Sequence, residues 1–167
     1  MFIRGYEWGI LHNLIGKKAQ AVILPDWDDN ENSNQAVLVL SDEQGIVIDS
    51  CFREHAPTET IGDYPQLRVR VIDSIPDEIK QREKKIDLNE YGEIIRTVKI
   101  VNEEVDSPSD IARYTKAIHI EFSGDRDVTI TRETFRSPQL HVFEKGDWEG
   151  EVINKRDPYA SRQILSF

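Results

Sequence analysis

Apolar residues in this chain come in short runs, most of them alternating with polar ones, and polar stretches separate the runs. Ala36-Val37-Leu38-Val39-Leu40 leads through Ser41-Asp42-Glu43-Gln44-Gly45 into Ile46-Val47-Ile48-Asp49-Ser50-Cys51-Phe52. This predicts a β-hairpin, with Gly45 as the source of the positive φ a tight turn often needs. Both arms are apolar on both faces for part of their length, which suits an interior position in a sheet. Ala117-Ile118-His119-Ile120-Glu121-Phe122, the turn Ser123-Gly124-Asp125-Arg126-Asp127 and Val128-Thr129-Ile130-Thr131 predict a second hairpin.

Further strands are predicted over 19–24, ended by Pro25, and over 66–72, where Leu67, Val69 and Val71 share one face and Arg68 and Arg70 the other. Strands are also predicted over 94–101 and 140–143. Helical signals are fewer. Ser74-Ile75-Pro76-Asp77-Glu78 opens a charged surface helix toward Lys85 with a thin stripe of Ile75, Ile79 and Ile86. Ser107-Pro108-Ser109-Asp110 resembles a capped start, with Ile111, Ala112 and Tyr114 as anchors. The segment 8–15 fits either a helix, through Trp8, Leu11 and Ile15, or a strand pairing back around Gly16. From Gly146 onward alternation is lost, and an irregular segment over 146–167 is expected. The predicted fold is mainly β or α+β: a single domain over 1–167, built on an antiparallel sheet as a sandwich or partly open barrel, with one to three short helices.

Composition changes this picture in one respect. Thirty-one acidic residues face twenty-one basic ones, a formal net charge of -10 in 167 residues. Such a field favours solubility and steers basic partners. It disfavours direct binding of duplex nucleic acid, which needs clustered cations. The basic groups, Lys17-Lys18 and Arg82, Lys84 and Lys85, are small. Cys51 is the only cysteine, so an internal disulfide is excluded and a reducing compartment is favoured. No apolar run approaches the roughly 20 residues of a membrane span. Glu7, Gly9 and His12 interrupt any secretory signal, so the cytoplasm is the expected compartment.

Candidate chemistry is sparse. Asp26-Trp27-Asp28-Asp29-Asn30-Glu31 begins like a Ca²⁺-binding loop. Glu31 then stands where that loop needs Gly, and Val37 where it needs a bidentate Glu. The segment reads as a solvated acidic turn, or as a protein-binding loop anchored by Trp27. His12, His55, His119 and His141 form no metal-ligand spacing. His119 and His141, with Glu121, would suit a metal or acid–base chemistry only if their strands were neighbours. Cys51 reads as a small core residue rather than a nucleophile served by His55. Arg68, Arg70 and Arg96 could gather a phosphate or carboxylate, or form cross-strand salt bridges. Tyr6, Trp8, Trp27, Trp148 and Tyr159 could build an interface or close the ends of the core. Phosphate loop, nucleophile elbow and paired CxxC are all missing.

These features predict a non-enzymatic acidic interaction protein that binds a basic macromolecule, for example as an inhibitor or immunity-type protein. No cofactor, metal or catalytic residue is assigned. The expected surface is Asp26, Trp27, Asp28, Asp29 and Glu31, joined by Asp42, Glu43, Asp125 and Asp127 at the hairpin tips. One alternative is a small-molecule-binding barrel, or an enzyme built in one, using Arg68, Arg70, Arg96, His119 and Glu121. The other is a structural subunit of a larger assembly.

Overall fold

The computed structural model describes residues 2–25, 34–51, 65–108, 111–144 and 148–167. Helix α1 (Gly5–His12) is followed by β1 (Lys18–Ile23), β2 (Gln35–Leu40), β3 (Gly45–Cys51) and β4 (Gln66–Ile72). A single helical turn α2 (Asp77–Lys80) and a short β5 (Lys85–Asp87) lead into the long β6 (Glu93–Asp106). Next come β7 (Ile111–Phe122), β8 (Asp127–Arg132), β9 (Leu140–Glu144), a π-helical turn (Trp148–Ile153) and β10 (Ala160–Ser166).

All strand pairs are antiparallel, in the order β4-β3-β2-β1-β6-β7-β8-β9, with β5 on β1 and β10 on β6. β6 joins two halves. Its first residues pair with β1, and its later residues pair with β10 and β7. Register shifts near Arg96 on β6 and Lys116 on β7 add twist where the sheet bends. The halves fold over one core. Leu38, Ile48, Leu67 and Val69 of β2–β4 meet Val98, Ile100, Ile118, Ile120 and Ile130 of β6–β8 in one buried cluster, closed at an end by Leu11 and Leu14. The result is a mainly β sheet folded on itself, with three short helical segments.

Each half also has an outer face. On the first half, Ile23, Val37 and Val47 are covered by Ile75 and Ile79 from the α2 segment. On the second, Val101 and Ala117 are covered by Val152 and Trp148 of the π-helical turn. β2 and β3 are therefore apolar on both faces because both faces are buried.

Several elements differ from expectation. The helix predicted from Ser74 stops at Lys80, because the chain beyond it pairs with β1 and Ile86 enters the main core. The helix predicted after Ser107 is a strand instead. Ile111 opens β7, and Ala112 and Tyr114 pack with Val105 and Ala160 across neighbouring strands. The stretch 8–15 resolves to α1 and a turn whose Gly16 has φ 83°. β10 lies within the stretch expected to be irregular. In the first hairpin the left-handed residue is Glu43, at φ 66°, not Gly45. Gly45 instead makes room for a neighbour: a Cβ there would lie 2.8 Å from the Ile72 side chain, which would have to shift.

Candidate docking surface

Two acidic hairpin tips lie at the same end of the sheet, on either side of the segment that leads into β6. The β2–β3 tip carries Asp42 and Glu43. Its turn is held by the Gln44 amide donating to Asp42 Oδ1 at 3.3 Å and by the Leu40 amide donating to the Gln44 carbonyl at 2.9 Å. The β7–β8 tip carries Asp125, again left-handed at φ 54°, and leads into Asp127 at the start of β8. Consecutive residues, Gly92 just before β6 and Glu93 and Ile94 at its start, touch both. Gly92, at φ 75°, approaches Ser41 so closely that a Cβ would lie 2.5 Å from its Oγ. Next to it, Glu93 accepts from the Gly124 amide at 3.2 Å, and Ile94 accepts from the Ser123 amide at 2.9 Å. Arg126 ties this end further, donating to the Asp87 and Leu88 carbonyls at 2.8 and 2.7 Å and to Glu144 at 2.5 Å.

Beside the β2–β3 tip, α2 covers only part of the outer face of the first half. It leaves a groove of about 570 Å³. Ala21, Ile23, Val39 and Ile75 form its apolar floor. Glu43, Asp87 and Glu90 stand around it with Lys80 and Lys85. The register shift between Ala19 and Ala21 sits at Gln20, another groove residue.

The charges divide into two groups. Several arginines pair with carboxylates along the strands: Arg68 with Glu7 at 3.4 Å, Arg70 with Asp49 at 3.5 Å, Arg113 with Glu104 at 2.6 Å and Arg162 with Glu103. Glu7 is fully buried. It accepts from the Val69 amide at 3.2 Å and the Arg4 amide at 2.5 Å, clipping α1 to β4. At the acidic end, Asp42 has only a 3.9 Å contact with the exposed Lys17, and such surface pairs contribute about 0–1 kcal/mol. Glu43, Glu90, Asp125 and Asp127 have no ion pair among the described residues. Asp26, Trp27, Asp28, Asp29 and Glu31 lie outside the described residues, as does His55.

The alternative ligand set is dispersed. Arg68 and Arg70 project from β4 opposite the core residues Leu67 and Val69. His119 and Glu121 project from β7 opposite Ile118 and Ile120. The two groups thus occupy outer faces on opposite sides of the core, and Arg96 is exposed at a bulge. His119 is not on an open surface. It is 3% exposed, stacked on Trp148 at 4.3 Å, bonded through Nδ1 to Thr129 Oγ1 at 2.7 Å, and 3.4 Å from Glu121 through Nε2. Burial holds its imidazole below the ordinary value. A hydrogen bond from Lys99 holds Glu121 below its own. His141 lies on β9, separated from β7 by β8. No group of three or more His, Cys, Asp or Glu is placed to hold a metal ion among the described residues.

Cys51 is exposed rather than part of the core, because it is the last residue of β3, at the sheet's margin opposite Gln66. Desolvation and the nearby Asp49 push its thiol up, away from thiolate formation. Among the aromatics, Trp148 seals His119. Trp8 packs edge-on against Phe167 at 4.7 Å, and Tyr6 and Tyr159 are exposed.

Sequence reasoning missed a buried network of charged side chains in the second half. Glu103, 1% exposed, accepts from the Tyr114 hydroxyl and from Arg162, the latter through Nε at 2.9 Å. Lys116 donates to the Glu133 carbonyl, and Arg132 donates to the Pro65 and Thr115 carbonyls while lying over the Tyr114 ring. Burial, then Glu103, pushes the Tyr114 phenol up, while burial pushes Lys116 down. The only trace in the sequence is a charged residue on each strand of the β6–β7 pair, indistinguishable there from a solvated face. No family model, curated protein or solved structure matches the chain.

Proposed function

We propose that this is a non-enzymatic docking protein that captures a basic macromolecular partner, in the manner of an inhibitor or immunity-type protein. The capturing surface is the end of the sheet that carries both tips. One observation carries the reading: Glu43, Glu90, Asp125 and Asp127 have no ion pair among the described residues, while Glu7 on α1 and Asp49, Glu103 and Glu104 on the strands face arginines. Clustered unmatched carboxylates repel one another in the free protein, and a cationic partner relieves that repulsion. The small basic groups give duplex nucleic acid no comparable site. No helix among the described residues is long and apolar enough to cross a membrane. With a single cysteine in the chain, a cytoplasmic setting fits the reading.

The test is capture of lysine-rich peptides and of lysate proteins by the wild type and by a variant carrying Glu43→Gln, Glu90→Gln, Asp125→Asn and Asp127→Asn. Association with a lysine-rich peptide at low salt should slow by about tenfold to a hundredfold in the variant, and the salt dependence should flatten. Equal rates and equal salt slopes would remove this surface from the function.

A further inference from the structure

The acidic tips explain attraction but not selectivity, and the groove beside them supplies a means. We propose that the groove seats an aliphatic side chain of the partner flanked by a lysine or arginine, so that the ligand is an apolar–basic polypeptide segment. This rests on the acidic docking reading above. Its volume, about 570 Å³, falls in the range of ligand-binding clefts, and its floor of Ala21, Ile23, Val39 and Ile75 offers no polar group to a side chain. Ala21 and Val39 are only half-buried, so apolar surface there is still open to water.

The charges around the groove set the orientation. Lys85 is matched by Asp87 at 3.1 Å. Glu43 and Glu90 are unmatched among the described residues, and both are exposed. A cationic flank is therefore drawn to the Glu43 and Glu90 side. Lys80, in the last residue of α2, repels a cation from the other side and favours a carbonyl or carboxylate there. Gln20 and Asn89 place amide groups beside the floor that can pair with an extended backbone. The chemistry thus selects a segment with one apolar residue and a neighbouring base, over either feature alone.

Isothermal titration with two synthetic peptides tests this: a lysine-flanked leucine peptide and its counterpart with serine in place of leucine. The wild type should bind the leucine peptide about tenfold to a hundredfold more tightly, the range expected for burying one aliphatic side chain. Ala21→Phe and Val39→Phe fill the groove without altering charge. Both should bind the two peptides alike while keeping the salt dependence. Thermal melting identifies folded variants, and Ala21→Leu replaces either one that fails to fold. Equal wild-type affinities for the two peptides would overturn the groove and leave acidic docking standing. A leucine advantage that persists in filled variants would also overturn it. Binding of neither peptide at low salt would remove the docking reading itself.

Discussion

The outer faces of the two halves solve the same problem in opposite ways. Over the second half, the π-helical turn and β10 bury Glu103, which faces Arg162 and Tyr114, while Glu121 meets Lys99 in a half-buried pair. Over the first half, one turn of helix covers Ile23, Val37 and Val47 and leaves a groove with unmatched carboxylates beside it. A buried charge must be matched, since an isolated one costs several kcal/mol. A charge left unmatched at the surface costs little in stability and remains available to another molecule. The difference separates carboxylates that hold this fold from carboxylates that face outward.

The sharpest way to break the comparison is to remove one carboxylate of each kind. Glu103→Gln strips the buried partner from Arg162, and urea unfolding should show a loss of about 3–5 kcal/mol. Glu90→Gln, at the groove, should stay within about 0.5 kcal/mol of wild type. Similar losses in both would erase the distinction.

A smaller effect should come from acid. The folded-state value of His119 lies below its unfolded one of 6.5, so the unfolded chain binds the additional proton first. The neutral imidazole therefore contributes fully above pH 6.5, and its contribution is lost as pH falls from there through the depressed folded value. Glu121 and Asp127 oppose this loss and Lys99 adds to it, all from the strands around the ring. Denaturation midpoints of the wild type should fall on acidification through this window, and those of His119→Asn should fall less. No acid sensitivity of this kind should arise from the groove, which contains no histidine among its residues.

The smallest expected effect is a gain. A left-handed glutamate is disfavoured by about 1–2 kcal/mol, and glycine removes that cost while adding chain entropy. Glu43→Gly should therefore raise stability by up to about 1 kcal/mol in thermal melts, while weakening capture of lysine-rich peptides. Such opposite signs would mark Glu43 as present for the partner rather than for the turn.

Much of the sheet was legible because alternation states directly which face of a strand is buried. Leu67, Val69, Ile118 and Ile120 behave as their spacing indicates. The helix expected after Ser107 failed because capping residues mark a possible start, whereas the alternating Ala112 and Tyr114 had packing partners across the sheet. His119 shows a further limit. Its outward direction is correct, but the sequence gives no sign that Trp148 covers that direction. The hairpin tips were legible as acidic turns. Their place at the same end of the sheet was not, since it depends on which residues of a third segment, Gly92 to Ile94, lie between them.

That third segment has a consequence of its own. Because Gly92 packs against one tip and its neighbours Glu93 and Ile94 bond the other, the spacing between the two patches of charge is set by the fold. On the docking proposal, a partner would have to present its own cations at a matching interval, and a preformed surface would spare the host most of the ordering cost of binding.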